Sequence, residues 1–234
     1  MSTPRILMVL TSHNQLGNTG KPTGFWLEEF AAPYYAFVDA GAKVTLASIQ
    51  GGQPPIDPKS DQDDAQTETT RRFLDDADAK QALANTMPVS KADAGDYDAI
   101  FLPGGHGTMW DFPESETLTN LIEAFDEEEK VIAAVCHAPA ALVTVKTASG
   151  EPLVKGKAVT AFTDSEERGV ELETVVPFML ETRLRELGAN FESGADWTPM
   201  VRQDQYLITG QNPASSEPAA RAVLEALHQS DSKR

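Results

Sequence analysis

An α/β fold, with a doubly wound, mostly parallel sheet flanked by helices on both faces, is predicted by three features of this 234-residue chain. Short runs rich in Val, Ile, Leu and Ala alternate with amphipathic segments at helical spacing through the first two-thirds of the sequence. Those runs are apolar at successive positions, as strands covered on both faces require. Polar or glycine-rich loops follow them, so a candidate site lies where strand ends meet. The length fits one domain spanning 1–234, with an insertion at about 50–95.

The first strand is expected over 6–11, and the loop 12–22 after it carries His13, Asn14, two glycines and Lys21. Leu27, Phe30, Ala31, Tyr34, Phe37 and Val38 then fall on one side of a helix over 27–40, with Pro33 expected to kink it or leave its first turn irregular. Glu28 and Glu29 sit in its first turn, where an acid complements the helix dipole, and the pattern does not say which points inward. Gly41 stops this helix before a strand over 43–48. Residues 51–64 read as a loop, and 67–86 as a helical segment packed at the sheet edge.

A third strand over 98–102 ends in Pro103-Gly104-Gly105-His106-Gly107-Thr108. Glycines there let the backbone approach a ligand and aim N–H groups at developing negative charge. The spacing matches neither the G-x-G-x-x-G order of a dinucleotide site nor a Gly-Lys-Ser/Thr phosphate loop. An acidic helix over 115–129 follows, then the strand Val131-Ile132-Ala133-Ala134-Val135, and then Cys136. The alanine-rich residues 138–145 read as a helix, placing Cys136 at a strand-to-helix turn. Further strands are expected over 157–162, 190–192, 198–201 and 206–209, and helices over 173–187 and 213–227.

Acidic residues number 36 against 19 basic ones, a formal charge of −17, which argues against nucleic acid, anionic membrane or any other polyanionic partner. A small neutral or weakly charged substrate is compatible with it. One cysteine cannot form an internal disulfide, and the chain enters its first strand without a leader pattern, so a cytoplasmic location is expected. No apolar stretch approaches the roughly 20 residues of a membrane span.

Cys136 is the centre of the functional reading. A lone cysteine is most often a small buried hydrophobe. Here Ala134 and Ala138 stand two positions either side of it, the small-x-nucleophile-x-small pattern of a strained elbow that exposes its central side chain. A helix beginning at this turn is expected to favour thiolate over thiol. A thiolate nucleophile needs a base, and the base an acid to orient it. Cys136, His137 and Glu167, the last in an acidic loop at another strand end, can supply those parts in that order. Because neighbouring residues rarely hydrogen-bond side chain to side chain, His137 is expected to flank the sulfur rather than take its proton. No metal is expected: His13 and His106 read as loop residues, and no two ligands have the short helical spacing of a zinc site. Trp26, Trp110 and Trp197 read as packing or pocket-wall residues.

The sequence resembles the ThiJ/PfpI superfamily, and within it the glyoxalase III-type subgroup of chaperone-like stress proteins. The resemblance runs through Thr11-Ser12, Thr23-Gly24 to Glu29 and Pro33, Pro103 to Thr108, Ala133-Ala134-Val135-Cys136-His137-Ala138-Pro139, Phe162-Thr163-Asp164 with Glu167, and Thr209-Gly210-Gln211-Asn212-Pro213-Ala214-Ser215. It implies a flavodoxin-like fold shared with class I glutamine amidotransferases. It also implies Cys136 as nucleophile, His137 beside it, Glu167 as the third member, and Glu29 as the carboxyl group next to the sulfur, chosen over Glu28 by the spacing to Pro33. Gly104, Gly105 and His106 would line the substrate and oxyanion, with the N–H groups of Gly105 and His137 as donors.

The implied activity is cofactor-independent conversion of a small 2-oxoaldehyde, methylglyoxal, to D-lactate, in a homodimer. Relatives also suggest a holdase, a cysteine redox sensor, a deglycase or a peptidase. Glutaminase activity is discounted, because none of His13, His106, His137 and His228 is followed by x-Glu.

Overall fold

The computed structural model describes residues 3–231. Its seven-stranded sheet has the order β3-β2-β1-β4-β5-β9-β8. The strands are β1 (Arg5–Leu10), β2 (Lys43–Ser48), β3 (Met87–Pro88), β4 (Ala99–Leu102), β5 (Val131–Val135), β8 (Val201–Asp204) and β9 (Leu207–Gly210). All pairings are parallel except β8 with β9. Parallel neighbours need crossovers, which run through the helices α1 (Leu27–Asp39), α2 (Glu68–Asp75), α3 (Ala77–Ala84), α4 (Thr108–Glu114), α5 (Glu116–Glu127), α6 (Asp164–Gly169) and α7 (Leu180–Glu186), while α8 (Ser216–Asp231) follows the last strand and closes the chain.

The period of two along each strand divides the core. On one face Ile6, Met8, Leu10, Phe101, Ala133 and Val135 pack with Phe30 and Phe37 of α1 and Ala220 and Val223 of α8. On the other, Leu7, Val9, Ile100, Leu102 and Ile132 pack with Phe112 of α4 and Leu118, Ile122 and Phe125 of α5. The doubly wound architecture expected from the sequence is therefore present, with β5 and its terminal cysteine near the middle. Among the described residues no helix is long and apolar enough to cross a membrane.

Several elements differ from the sequence expectation. The 67–86 segment is two helices, because the Asp76 side chain accepts from Ala79 N–H at 3.0 Å and caps α3 where a single helix would have continued. The 173–187 helix shrinks to α7: Pro177 cannot donate into a helix and turns the residue before it away from helical geometry. Residues 157–162 do not join the main sheet. Only β6 (Ala158–Val159) is a strand, paired with β7 (Asn190–Phe191) in a separate two-stranded sheet. The chain then leaves to run beside the elbow, where Phe162 N–H donates to the Cys136 carbonyl at 2.9 Å. The strand expected at 198–201 starts instead at Val201, and α4 was not anticipated at all. Pro33 sits inside α1, buried.

Candidate active site

The elbow forms through backbone contacts on both sides of the sulfur. Cys136 N–H donates to the Gly210 carbonyl at 2.9 Å, extending the β5–β9 pairing by one residue, while its own carbonyl holds Phe162. Between them Cys136 adopts φ 60°, a left-handed conformation costly for any residue with a Cβ. The residues after it form a 3₁₀ helix, Ala138–Thr144, rather than the expected α-helix. Alanines at 138, 140 and 141 offer little crowding against the tighter winding, and Ala138 to Leu142 are all buried.

Three loops converge on the sulfur. His137 Nδ1 lies 3.3 Å from Cys136 Sγ, and His137 Nε2 lies 2.6 Å from Oε2 of Glu167. The expectation that His137 would only flank the sulfur is therefore corrected: the left-handed elbow swings adjacent side chains together, which an extended backbone would hold apart. Glu167 is placed by α6, whose start is capped by Thr163 Oγ1 accepting from Glu166 N–H at 3.0 Å. The other oxygen of Glu167, Oε1, lies 2.6 Å from Nε2 of His106. His106 thus faces the acid, and its Nε2 does not point at a substrate oxygen.

Glu29 reaches the site from the first turn of α1 and is fully buried, whereas Glu28 is partly exposed. Its Oε1 accepts Gly104 N–H at 2.9 Å, so that N–H is already engaged; its Oε2 is buried without a partner. Gly105 N–H and His137 N–H are bonded to no acceptor among the described residues, in keeping with their expected place as oxyanion donors. Gly104 cannot be larger, since a Cβ there would lie 2.5 Å from both Glu29 Oε1 and the Val135 carbonyl. Gly105 has φ 115° and presses against the backbone of residues 24–26.

Electrostatics divide the acids. Burial pushes the Glu29 carboxyl well above the usual range, only partly offset by the Cys136 thiol and Gly104 N–H, which favours its protonated form. Burial alone would also raise Glu167, but the two imidazoles hold it far below the usual carboxylate range. His137 is lowered to about 4, by burial first and by His106 second, against the opposing pull of Glu167. It is a neutral base in the resting site. Cys136 is raised well above its ordinary value, by burial and then by Glu29, Glu166 and Glu167. The resting group is a thiol. The thiolate expected from a helix N-terminus is overturned, because Cys136 is 3% exposed and faces carboxyl groups, and the turns beyond it are short and 3₁₀.

This assembly of elbow, glycine turn and paired acids coincides with a wider similarity. A profile for the DJ-1/PfpI family matches residues 22–226. The chain belongs to the DJ-1/PfpI family. Its relatives include glyoxalase 3 of Candida albicans, 31% identical over 95% of this chain and 98% of that one. The glutathione-independent glyoxalase HSP31 of Saccharomyces cerevisiae is 30% identical over 97% and 99%. The crystal structure of glyoxalase III from Candida albicans superposes with a TM-score of 0.88 at 29% identity, covering 95% of this chain and 97% of that one. That of the rapid encystment protein of 24 kDa from Francisella tularensis gives 0.91 at 39%, covering 96% and 99%.

Among the described residues of this DJ-1/PfpI protein, His106, His137 and Glu167 could converge on a metal ion, with ligand atoms within 4.8 Å of one another. As arranged, the carboxylate sits between the two imidazoles and satisfies a donor on each. Sequence reasoning had looked for ligands at helical spacing and so passed over this cluster, which three separate loops create.

Other side chains pack around the site, Trp197 among them as the pocket-wall residue the sequence suggested, while Glu166 and Asp111 had no part in the sequence reading. Phe162 packs on the His137 ring at 4.2 Å, and Trp197 on Phe162 at 5.6 Å. Glu166, fully buried, is held by the amides of Gln211 and Asn212. Asp111 accepts Thr11 O–H and Ser12 N–H, each at 2.7 Å, fastening the end of β1 to α4, and burial raises it to about 6. The matched Gln211-Asn212 pair was the only signal in the sequence that could have flagged Glu166.

Proposed function

We propose that this protein is a glutathione-independent glyoxalase that converts methylglyoxal to D-lactate on Cys136. The observation that carries the reading is the neutral His137 base 3.3 Å from the Cys136 thiol, in a site that also holds the buried Glu29 carboxyl. The full-length similarity to glyoxalases supports the same reaction.

Sγ attacks the aldehyde carbon as its proton passes to His137 Nδ1, and Glu167 balances the imidazolium. The imidazolium returns that proton to the aldehyde oxygen, held by the N–H groups of Gly105 and His137, giving the hydroxyl of a hemithioacetal and a neutral His137. Glu29 or the now neutral His137 takes the proton from the former aldehyde carbon and returns it to the neighbouring carbon through an enediol, while the hydroxyl proton passes to the ketone oxygen, leaving a lactoyl thioester. Water then hydrolyses the thioester, releasing D-lactate and restoring the thiol. No electron leaves or enters, so no redox cofactor is required.

A sulfur this enclosed suits a three-carbon aldehyde better than a peptide or a protein side chain. The protein works in the cytoplasm as a homodimer on this reading, which light scattering on the purified chain tests directly. Cys136→Ala is expected to abolish methylglyoxal consumption without glutathione, read by loss of substrate and by chiral analysis of lactate. Turnover near the wild-type rate in that variant, or L-lactate as product, overturns the proposal. Assaying glyoxal and larger oxoaldehydes beside methylglyoxal ranks the substrates.

A further inference from the structure

Glu167 is shared. Its Oε2 meets Nε2 of His137 and its Oε1 meets Nε2 of His106, each at 2.6 Å, and the two rings stand 4.0 Å apart between centroids. An ionised carboxylate only accepts hydrogen bonds, so both Nε2 atoms must carry their protons. For a neutral His137 this leaves the lone pair on Nδ1, the nitrogen that faces Cys136 Sγ. The tautomer that makes His137 a base is therefore set by how the carboxylate is oriented.

We propose that His106 is a positioning residue for the Cys136–His137 pair, pinning Glu167 from its far side so that the near oxygen stays on His137 Nε2. Among the described residues, the Glu167 carboxylate has no other side-chain or backbone donor. The two histidines hold it as a pair of jaws, and α6, which carries it, is only six residues long. His106 is itself firmly placed, in the turn between β4 and α4 where Gly105 takes φ 115° and the His106 carbonyl accepts Met109 N–H at 3.0 Å.

The test compares H106L, H106Q and H106N with the wild type in two assays. One is methylglyoxal turnover, which rests on the glyoxalase reading. The other is the pH dependence of Cys136 alkylation by iodoacetamide, which does not. Gln carries an amide N–H out to about the place of Nε2, Asn only to about that of Nδ1, and Leu carries none.

H106L and H106N are expected to lose about 10- to 100-fold in kcat, the worth of a hydrogen bond to a charged group, with KM changed less than about 3-fold. Alkylation at neutral pH slows in both, and H106Q restores most of both readouts. Wild-type turnover and alkylation in H106L overturn the proposal. So does equal loss of turnover in all three variants with alkylation unchanged, because His106 would then act on substrate. If H106L does not fold by circular dichroism, the contrast of H106Q with H106N decides. A wild-type protein without turnover sinks the glyoxalase reading alone, and the alkylation profiles still judge His106.

Discussion

Glu29 illustrates how one residue is made useful by a cost to the fold. Burial raises its carboxyl well above the ordinary range, so its stabilising contribution is complete below that range and falls as pH rises beyond it, since the unfolded chain would ionise there. Glu29→Gln copies the neutral form but cannot release a proton. Its thermal stability relative to wild type is expected to climb as pH is raised from mildly acid to alkaline, measured by thermal melts. Turnover is expected to drop by about 10²- to 10⁴-fold, the usual worth of a general acid or base. Equal stability differences at all pH values would show that Glu29 is ionised in the fold.

His137 has the opposite sign. Its proton is disfavoured in the fold, so it contributes stability above its ordinary value of 6.5 that is lost as pH falls toward about 4. The base itself stays neutral through most of that window. Turnover limited by His137 alone is therefore expected to survive mild acid and to fail as pH falls through about 4, read from the acid limb of a kcat profile.

Among elements, the turn between β4 and α4 has the least room for change. It lies against the 24–26 loop, where Trp26 N–H donates to the Gly104 carbonyl at 3.0 Å, and it carries both the Glu29 contact and His106. Gly105→Ala must place a Cβ at φ 115° into that backbone. The expected cost is about 2 kcal/mol or more in chemical denaturation, with turnover lost beyond what stability explains. The strand β5 and the glycine-rich end of β4 were legible in the sequence because a buried parallel strand is written locally, as an unbroken apolar run. The 173–187 and 157–162 segments were not, because Pro177 and the backbone of the elbow override the apolar period there.

For the whole molecule, the net charge of −17 predicts repulsion of polyanions. Passage through a heparin column at low salt without retention is the expected outcome.

The sequence by itself determined the α/β architecture, the Cys136 elbow and, through its family resemblance, the reaction class, because apolar periodicity, small residues beside a nucleophile and ordered motifs are all properties of neighbouring positions. Tertiary structure alone decided that His137 touches the sulfur and that the resting group is a thiol. It also decided that burial raises the Glu29 carboxyl well above its ordinary range, and that His106 shares Glu167. Each of these depends on a backbone turn or on burial among groups from distant loops, and pKa and hydrogen-bond geometry respond to that environment, which spacing along a chain does not encode.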